Sequence, residues 1–480
     1  MKAYELYVSK QDVERIHENT LRILKETGVK FESETALDIF RKNGVRVEGD
    51  LVFIDEETLN RCLETTPSTF TMQVNEKGDT EELGKGSMLT CVIGHPAYIA
   101  KEGRIFSMTS EDAIDQFKMS ETSPITNGAN LNFAFLNGKK MTEEQQSLAQ
   151  IAFILKYSSK YKIHADPYVM GYSEEKAYEY SKKGIQLMKR FYGSDDKPMM
   201  LTIINPLSPL CYDDIPITKM MAYIEEGQVC AISPCGMPLL TSPGSVAGMM
   251  SQTNAEVLAG LVFIQLVKPG TPVVYGNTSG STDMKTIQLG IGSAEASLVS
   301  YTTAALADYY KVPFRTGGAL SDAKDVDAQM GAESMMMLQT TYSVRPDFVL
   351  HHIGCMGTFN VVSLEKFIVD EEIAKMVQRQ IRGLDTSEEK LAFDTIHKIG
   401  PRGSFLKGRT PKMYRDDFQL ANCFSKDDPN NWQQNGSKSV YETAKEQVME
   451  RIAGYQQPDM DPSQTSMLDA YLPDKFKSSI

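Results

Sequence analysis

The stretch VCAISPCGMPLL, residues 229–240, joins a run of apolar residues to a loop that is rich in proline and glycine. Its apolar part does not alternate with polar residues, which indicates a strand buried on both faces, as in a parallel sheet covered by helices. A segment long enough for a helix follows before the next such run. The stretch therefore predicts one strand, loop and helix of a repeating α/β unit.

Comparable runs recur roughly every 30 to 45 residues from about residue 125 onward. The candidate strands are 125–133, 161–170, 198–207, 229–240, 271–280, 312–320 and 347–357. Apolar strands separated by helices predict either a (β/α)8 TIM barrel or a doubly wound sheet. The barrel is favoured because no GxGxxG motif follows the first strand, although the sequence does not place the eighth strand that a barrel needs.

The regions on either side of these strands have a different character. Before the barrel, short helices and strands alternate, and Ser9 and Thr109 begin capping boxes that predict helix starts. We therefore expect an N-terminal α+β accessory region over residues 1–120. The TIM-barrel domain should cover residues 121–410, and a C-terminal extension should cover residues 411–480.

The amino-acid composition argues against some kinds of partner and indicates a cellular location. The net charge of −13 argues against nucleic acid as a partner, because phosphate binding requires a basic surface. No run of about 18 apolar residues is present, and the N-terminal sequence lacks the apolar segment of a signal peptide, so no membrane contact is expected. The 7 cysteines form no CxxC pair, which predicts reduced thiols and a cytoplasmic location.

The loops after the candidate strands are rich in Gly, Ser, Thr, Pro, Asn and Asp. Turn and cap chemistry explains the glycines and aspartates, but not the length of the loops or their repeated prolines. In a barrel, these loops meet at the carboxyl ends of the strands, where the active sites of this fold lie. We therefore expect a wide, polar mouth.

Two histidines and a cysteine stand close together in FVLHHIGCMGTFN, residues 348–360. On a strand, His351 and His352 point to opposite faces, and about 13 Å separates His351 from Cys355. We therefore expect neither a metal site nor a Cys–His nucleophile in this stretch. A metal-dependent barrel lyase or hydrolase that uses His164 and His351 remains an alternative.

Three further stretches carry a family resemblance: IHENTLRILKETGVKFESETALDIFRKNG (16–44), GGALSDAKDVDAQMGAES (317–334) and LEKFIVDEEIAKMVQRQIRG (364–383). Through them, nearly the whole chain resembles the trimethylamine methyltransferase superfamily. The trimethylamine enzymes carry pyrrolysine near the last strand, whereas this sequence has only standard residues there. The resemblance is thus to the branch without pyrrolysine, whose members are similar to glycine betaine, proline betaine and carnitine:corrinoid methyltransferases.

The resemblance implies a (β/α)8 barrel that moves a methyl group from a quaternary amine to Co(I) of a cognate corrinoid protein. The substrate would be of the betaine type, such as glycine betaine, proline betaine, carnitine or γ-butyrobetaine. The corrinoid (cobalamin) would be carried by the partner, which docks over the barrel mouth, and none would be bound tightly by this chain. A homo-oligomer is also expected. A non-catalytic betaine-binding protein is a further alternative.

A quaternary ammonium has no N–H and leaves as a neutral tertiary amine, so the reaction needs positioning and electrostatics rather than a metal, an acid or a base. No catalytic residue beyond substrate positioning is expected. Arg315, at the end of a strand, is the candidate for the substrate carboxylate, with an ion pair inside the protein as the alternative. Phe359 and Tyr98 are candidates for the aromatic faces around the cation, and His351 and Asn205 for polar contacts that orient the substrate.

Overall fold

A computed structural model of the chain describes residues 2–94, 96–128, 130–131, 141–169, 171–406 and 412–480. It has an α/β fold, in which buried strands alternate with helices along the middle of the chain. Part of each of the candidate strands 125–133 and 161–170 lies outside the described residues. Within the described ranges, no helix combines the length and the apolar character that crossing a membrane requires.

The N-terminal part contains short strands and helices with side-chain caps. Ser9 and Thr109 accept hydrogen bonds from the backbone N–H of Asp12 and Asp112, which confirms the predicted capping boxes. The elements up to residue 122 are a 3₁₀ turn (Ala3–Leu6), α1 (Lys10–Arg22), a π-helical turn (Ile23–Thr27), β1 (Val29–Phe31), α2 (Glu34–Lys42), β2 (Arg46–Glu48), β3 (Leu51–Phe53), α3 (Glu56–Thr65), β4 (Phe70–Gln73), β5 (Thr80–Leu83), β6 (Leu89–Thr90), β7 (Tyr98–Lys101), β8 (Arg104–Ser107) and α4 (Ser110–Thr122).

The middle of the chain supplies the buried parallel strands and the helices that cover them. Its elements are α5 (Glu143–Tyr157), α6 (Glu174–Tyr192), β9 (Leu201–Ile204), β10 (Cys211–Tyr212), α7 (Asp214–Glu225), β11 (Val229–Ile232), α8 (Val246–Val267), β12 (Val273–Tyr275), β13 (Ser281–Asp283), β14 (Gln288–Gly290), α9 (Ala294–Tyr310), β15 (Arg315–Gly317), α10 (Ala328–Val344), β16 (Phe348–Leu350), β17 (Cys355–Met356), β18 (Val361–Val362) and α11 (Leu364–Ile381). The C-terminal elements are α12 (Glu388–Leu391), α13 (Phe393–Ile399), α14 (Lys412–Asp417), α15 (Pro429–Gln434), α16 (Val440–Ala453), α17 (Pro462–Asp469) and a 3₁₀ turn (Asp474–Phe476).

Parallel pairing links the later buried strands in chain order. β9 pairs with β11, and β11 pairs with β12. Tyr275 of β12 forms a parallel bridge with Phe314, and the adjoining β15 pairs with β16. β16 then pairs in parallel with β6, through Phe348 and Leu89. β16 thus lies beside a strand from the N-terminal part of the chain.

Among the described residues, parallel bridges and a backbone hydrogen bond also connect the earlier segments of the same series. Cys91, which follows β6, forms a parallel bridge with Gly128, and Gly128 forms another with Tyr161. Leu201 N of β9 donates to Ile163 O at 2.7 Å. β6 is thus a further parallel strand beside this series, and it lies within the range predicted to be the accessory region.

Alternate residues of the buried strand β11 face two different apolar clusters. In β11, Val229 and Ala231 pack with Phe348 and with the β4–β5 hairpin, whereas Cys230 and Ile232 belong to the larger core that contains the helices. Because both faces are buried, the strand is apolar throughout, as its sequence predicts. The strands thereby form a rigid support for the loops at their carboxyl ends.

Candidate functional site

A narrow cavity lies at the carboxyl ends of β12, β15 and β16, next to helices α9 and α10. Its lining contains the predicted residues Arg315, His351 and Phe359, together with Asn277 and Met337. The fold therefore brings three of the predicted site residues to one place. Charged, polar, aromatic and apolar side chains meet there, which is typical of a small-molecule site.

Arg315 is fully buried at the first position of β15, with 0% of its surface exposed. Its Nη1 donates to Ser233 Oγ at 2.6 Å, while Nε and Nη2 have no hydrogen-bond partner among the described residues. Burial lowers the pKa of Arg315 to about 10, and no carboxylate of the described chain opposes that effect. The internal ion pair that the sequence left open is thus absent from the described part of the chain.

The unpaired atoms of Arg315 are arranged for an anion. Nε and Nη2 lie on one edge of the guanidinium, and a carboxylate binds such an edge through two parallel hydrogen bonds. A buried cation without these bonds is energetically costly. The side chain runs across Gly276, where a Cβ would lie 2.7 Å from Arg315 Cδ, so this position requires glycine.

Ser233, which follows β11, connects Arg315 to another predicted residue. Asn205 Nδ2 donates to Ser233 O at 2.7 Å, and Ser233 Oγ accepts from Arg315. Asn205 is exposed and is not part of the cavity lining. In this structure it supports the residue that holds Arg315, and its predicted contact with the substrate stays a prediction.

His351 and Phe359 form the aromatic wall of the cavity, with ring centroids 4.7 Å apart. β16 ends at Leu350, and His351 adopts a left-handed conformation with φ of 59°. The predicted continuation of the strand through His351 is therefore wrong, because a left-handed turn rather than strand alternation directs its ring. Phe359 is also left-handed, with φ of 65°, and strained backbone of this kind concentrates at functional sites.

His352 lies in different surroundings from His351. Its Nε2 is 3.2 Å from the hydroxyl of Tyr342 on α10, and its ring is fully buried. Burial lowers the pKa of His352 to about 3, so this ring is neutral at physiological pH. The two adjacent histidines thus do not converge on one point, and the sequence also predicts that they point apart.

Tyr98 is the predicted aromatic residue that the structure does not bring to the cavity. It lies on β7, 40% exposed, and its backbone N–H donates to Asn360 O at 3.0 Å. It is therefore a neighbour of the loop that carries Phe359, but it does not line the cavity. Its role around the substrate cation stays a prediction.

A set of hydrogen-bonded polar residues around the same cavity as Arg315 was not predicted from the sequence. Asn277 Nδ2 donates to Thr253 Oγ1 at 2.9 Å, and Asn277 Oδ1 accepts from Ser279 N at 2.9 Å. Ser279 Oγ in turn accepts from Gly236 N at 2.8 Å. The small polar residues after β12 indicated this loop, but they did not indicate which of its side chains face the cavity.

Cys355 and His164 are both buried. Cys355 is fully buried in β17, and burial raises the pKa of its thiol to about 12. His164 Nδ1 lies 3.1 Å from Leu201 O, and burial lowers the pKa of its ring. Across the described ranges, no group of three or more His, Cys, Asp or Glu side chains is arranged to hold a metal ion.

The chain is similar to characterised proteins along its whole length. The family model described as trimethylamine methyltransferase (MTTB) matches residues 2–479. The proline betaine:corrinoid methyltransferase of Eubacterium limosum is 39% identical, over 99% of this chain and 98% of that protein. The glycine betaine methyltransferase of Desulfitobacterium hafniense is 35% identical, over 98% and 97%. The L-carnitine:corrinoid methyltransferase of Eubacterium limosum is 34% identical, over 99% of each.

Among solved structures, the monomethylamine methyltransferase of Methanosarcina barkeri is similar, with a TM-score of 0.44 and 10% sequence identity over 93% of this chain and 98% of that one. The family match covers almost every residue of the chain. The relatives reported above align with it from end to end. The chain therefore belongs to the trimethylamine methyltransferase family.

Proposed function

We propose that this methyltransferase moves a methyl group from a carboxylated quaternary amine to Co(I) of a cognate corrinoid protein. The observation that carries the proposal is buried Arg315, whose Nε and Nη2 have no partner among the described residues. A carboxylate is the group that this edge of an arginine recognises best. The relatives are named for proline betaine, glycine betaine and L-carnitine, which all combine a quaternary ammonium with a carboxylate.

The chemistry of this substrate explains what the chain must supply. The C–N bond breaks with its electron pair left on nitrogen, and the methyl carbon is taken by Co(I) of the partner, which supplies the electron pair of the new bond. The leaving group is a neutral tertiary amine, so no proton has to reach it during the transfer. The residues of this chain therefore bind, orient and desolvate the substrate.

In the proposed complex, the carboxylate lies on the Nε–Nη2 edge of Arg315 and the cationic nitrogen lies against Phe359 and His351. Asn205 supports the arginine through Ser233. The cavity has about 10 Å³ of free space, which is room for about one water molecule. The substrate must therefore displace lining side chains, and the unbranched Met337 repacks more readily than its neighbours.

We also propose that the parallel segments close into a (β/α)8 barrel. Support comes from the pairings that run from β9 to β16, from β16 to β6, and from β6 through Gly128 and Tyr161 towards β9. The cavity would then lie at the carboxyl-terminal face, where barrel enzymes have their active sites. The boundaries 1–120, 121–410 and 411–480 remain our proposal, with β6 contributed to the barrel by the first region.

The corrinoid protein, which carries the corrinoid cofactor, needs a surface at the same end of the strands as the cavity. Leu207, Leu239 and Leu240 are 59%, 63% and 47% exposed on the loops that follow β9 and β11. Buried Glu256 holds the first of these loops, because its carboxylate accepts from Leu210 N at 2.9 Å. We propose that these exposed leucines contact the corrinoid protein, since neighbouring apolar side chains that are exposed together, as Leu239 and Leu240 are, mark interaction sites.

We further propose a homo-oligomer that forms through the surface segment after α11. Leu384, Phe393 and Leu406 are 86%, 68% and 85% exposed in this segment. Large apolar side chains concentrated on one segment are typical of a protein interface. Sedimentation of the protein at micromolar concentration measures the assembly, and a monomer there would rule the proposal out.

We assign the protein to the cytoplasm, without a nucleic acid or membrane partner. All 7 cysteines are free thiols in the structure. Free thiols are typical of reducing compartments. The net charge of −13 makes a polyphosphate partner unfavourable.

The proposed activity is tested by mixing the protein with its cognate corrinoid protein in the Co(I) state and with each of four betaines: glycine betaine, proline betaine, carnitine and γ-butyrobetaine. We expect at least one of them to convert Co(I) to methyl-Co(III), seen by absorbance, and to lose one methyl group, seen by mass spectrometry. Arg61→Ala, at an exposed arginine on α3, should react like the wild type. No reaction with any quaternary amine contradicts the proposal, and binding without transfer favours a non-catalytic betaine-binding protein.

A further inference from the structure

The loop that carries Phe359 has a backbone that its own residues disfavour. Thr358 and Phe359 are both left-handed, with φ of 58° and 65°. For a β-branched residue such as Thr358 this conformation is a genuine outlier, which persists only when the surrounding structure imposes it. Phe359 lines the cavity and directly follows Thr358 in the chain. The contacts that hold Thr358 therefore also position Phe359.

Those contacts come from Asp322, in the loop after β15. Thr358 Oγ1 lies 3.1 Å from Asp322 Oδ1 and 3.0 Å from Leu289 O. The same carboxylate accepts backbone N–H groups from Ile291 (3.0 Å) and Gly292 (2.8 Å). One side chain thus joins the loops after β14, β15 and β17, and it uses both of its oxygens to do so.

Asp322 is itself fixed by helix α10. Glu333 Oε2 accepts from Asp322 N at 2.7 Å and from Ser321 Oγ at 2.8 Å. Among the described residues, the carboxylate of Asp322 has no ion-pair partner within 4.0 Å, and it accepts from two backbone N–H groups and one hydroxyl. An amide in its place offers a single acceptor oxygen and cannot reproduce this pattern.

We infer that Asp322 is a positioning residue, which acts through Thr358 to set the ring of Phe359 against the cationic end of the substrate. The inference rests on the proposed function, because it takes the substrate to be a quaternary amine. The nitrogen bears its full positive charge in the bound substrate and loses it as the methyl group departs. The ring therefore stabilises the bound substrate more than the transition state, and a misplaced ring weakens binding without slowing the bound complex.

Two substitutions test this inference in the full-length protein. Thr358→Val removes the hydroxyl at nearly constant volume and leaves the Asp322 charge in place, and Asp322→Asn removes one strong acceptor. For both variants we expect the Kd of glycine betaine, or of whichever betaine the wild type binds, to rise about tenfold by calorimetry. The KM for the betaine should rise in parallel, while kcat should be equal to or above that of the wild type, because the ring stabilises the bound substrate more than the transition state. The matched control is Thr286→Val, since Thr286 Oγ1 donates to Asp283 at 2.9 Å on the exposed β13–β14 turn.

A double-variant cycle separates positioning from general damage. In a Phe359→Leu background the ring is absent, so Thr358→Val should add less than about a twofold loss of affinity. A merely structural role would produce the full loss in both backgrounds. If Asp322→Asn does not fold, Thr358→Val alone carries the test.

Each outcome decides the inference. Unchanged betaine affinity in Thr358→Val overturns it, and so does a tenfold loss that persists without the ring of Phe359. A parallel fall in kcat at unchanged Kd also overturns it. Failure of the wild type to bind or demethylate any betaine contradicts the proposed function instead. That result comes from the reaction of the wild-type protein with the betaines and the Co(I) corrinoid protein.

Discussion

At position 315 a buried guanidinium meets one serine hydroxyl and no carboxylate of the described chain. Proteins rarely bury a charge without a partner, and where they do, stability is sacrificed locally. Arg315 also lines a cavity that has Phe359 on its wall. A cation for the carboxylate and a ring for the ammonium are the two groups that a betaine requires.

Substitution of Arg315 should separate the two ends of the substrate. We expect Arg315→Gln to weaken glycine betaine binding on the order of 100-fold, because a desolvated charge pair is lost. Tetramethylammonium has no carboxylate and should bind with nearly unchanged affinity. Calorimetry with both ligands makes the comparison, and an equal loss for both would show that Arg315 does not contact the carboxylate.

His352 should make the protein sensitive to acid. Burial lowers its pKa from 6.5 to about 3, so between these values the unfolded chain binds the proton more strongly than the folded one. Its contribution to stability is complete above pH 6.5 and is lost as the pH falls, with a slope of about 1.4 kcal/mol per pH unit. The free energy of unfolding, measured with urea at about pH 7 and about pH 5.5, should fall less between these pH values for His352→Gln than for the wild type. His397→Gln, at an exposed histidine, is the control, and an identical fall in all three proteins would refute the prediction.

At the scale of elements, helix α11 forms hydrogen bonds to the loops on both sides of the cavity. Lys366 Nζ donates to Asp370 (2.6 Å), to Ala319 O (2.9 Å) after β15 and to Ser334 Oγ (2.8 Å) on α10. Asp370 accepts from Gly354 N (2.8 Å), three residues after His351. One buried ion pair therefore sets the distance between the β15 and β16 loops.

Removal of the lysine should be costly because it isolates a buried carboxylate. Burial already raises the pKa of Asp370, and Lys366 is the cation that opposes this effect. We expect Lys366→Met to lower the free energy of unfolding by about 3–5 kcal/mol, measured by urea denaturation. Lys10→Met breaks the Lys10–Glu14 pair, which has the same spacing on exposed α1, and should cost less than about 1 kcal/mol. Equal losses in the two variants would contradict this account of α11.

At the scale of the whole molecule, the reaction needs two proteins to meet at the mouth. Leu239→Asp places a charge on the proposed docking loop and should raise the KM for the corrinoid protein about tenfold. Binding of the betaine to the methyltransferase alone should not change, because Leu239 does not line the cavity. Leu6→Asp is the control, since Leu6 is 65% exposed on the N-terminal 3₁₀ turn. An unchanged KM for Leu239→Asp would move the docking surface elsewhere.

Several features followed from the sequence by itself because they depend on neighbours along the chain. Continuous apolar runs predicted the parallel strands, and the capping boxes at Ser9 and Thr109 predicted where two helices begin. Arg315 was identified for the same reason, since a charge inside an apolar run is visible in one dimension. Local patterns along the chain therefore determine the α/β class and the charged residue of the candidate site.

Other features were decided only by the tertiary structure, because they join residues that are far apart in the chain. One of the two parallel partners of β16 is β6, from the N-terminal part of the chain, and no local pattern specifies that pairing. The free edge of Arg315 is known only once every neighbour is placed. The left-handed turn at His351 and the contact between Asp322 and Thr358 likewise depend on non-local hydrogen bonds that hold the backbone where its own residues would not.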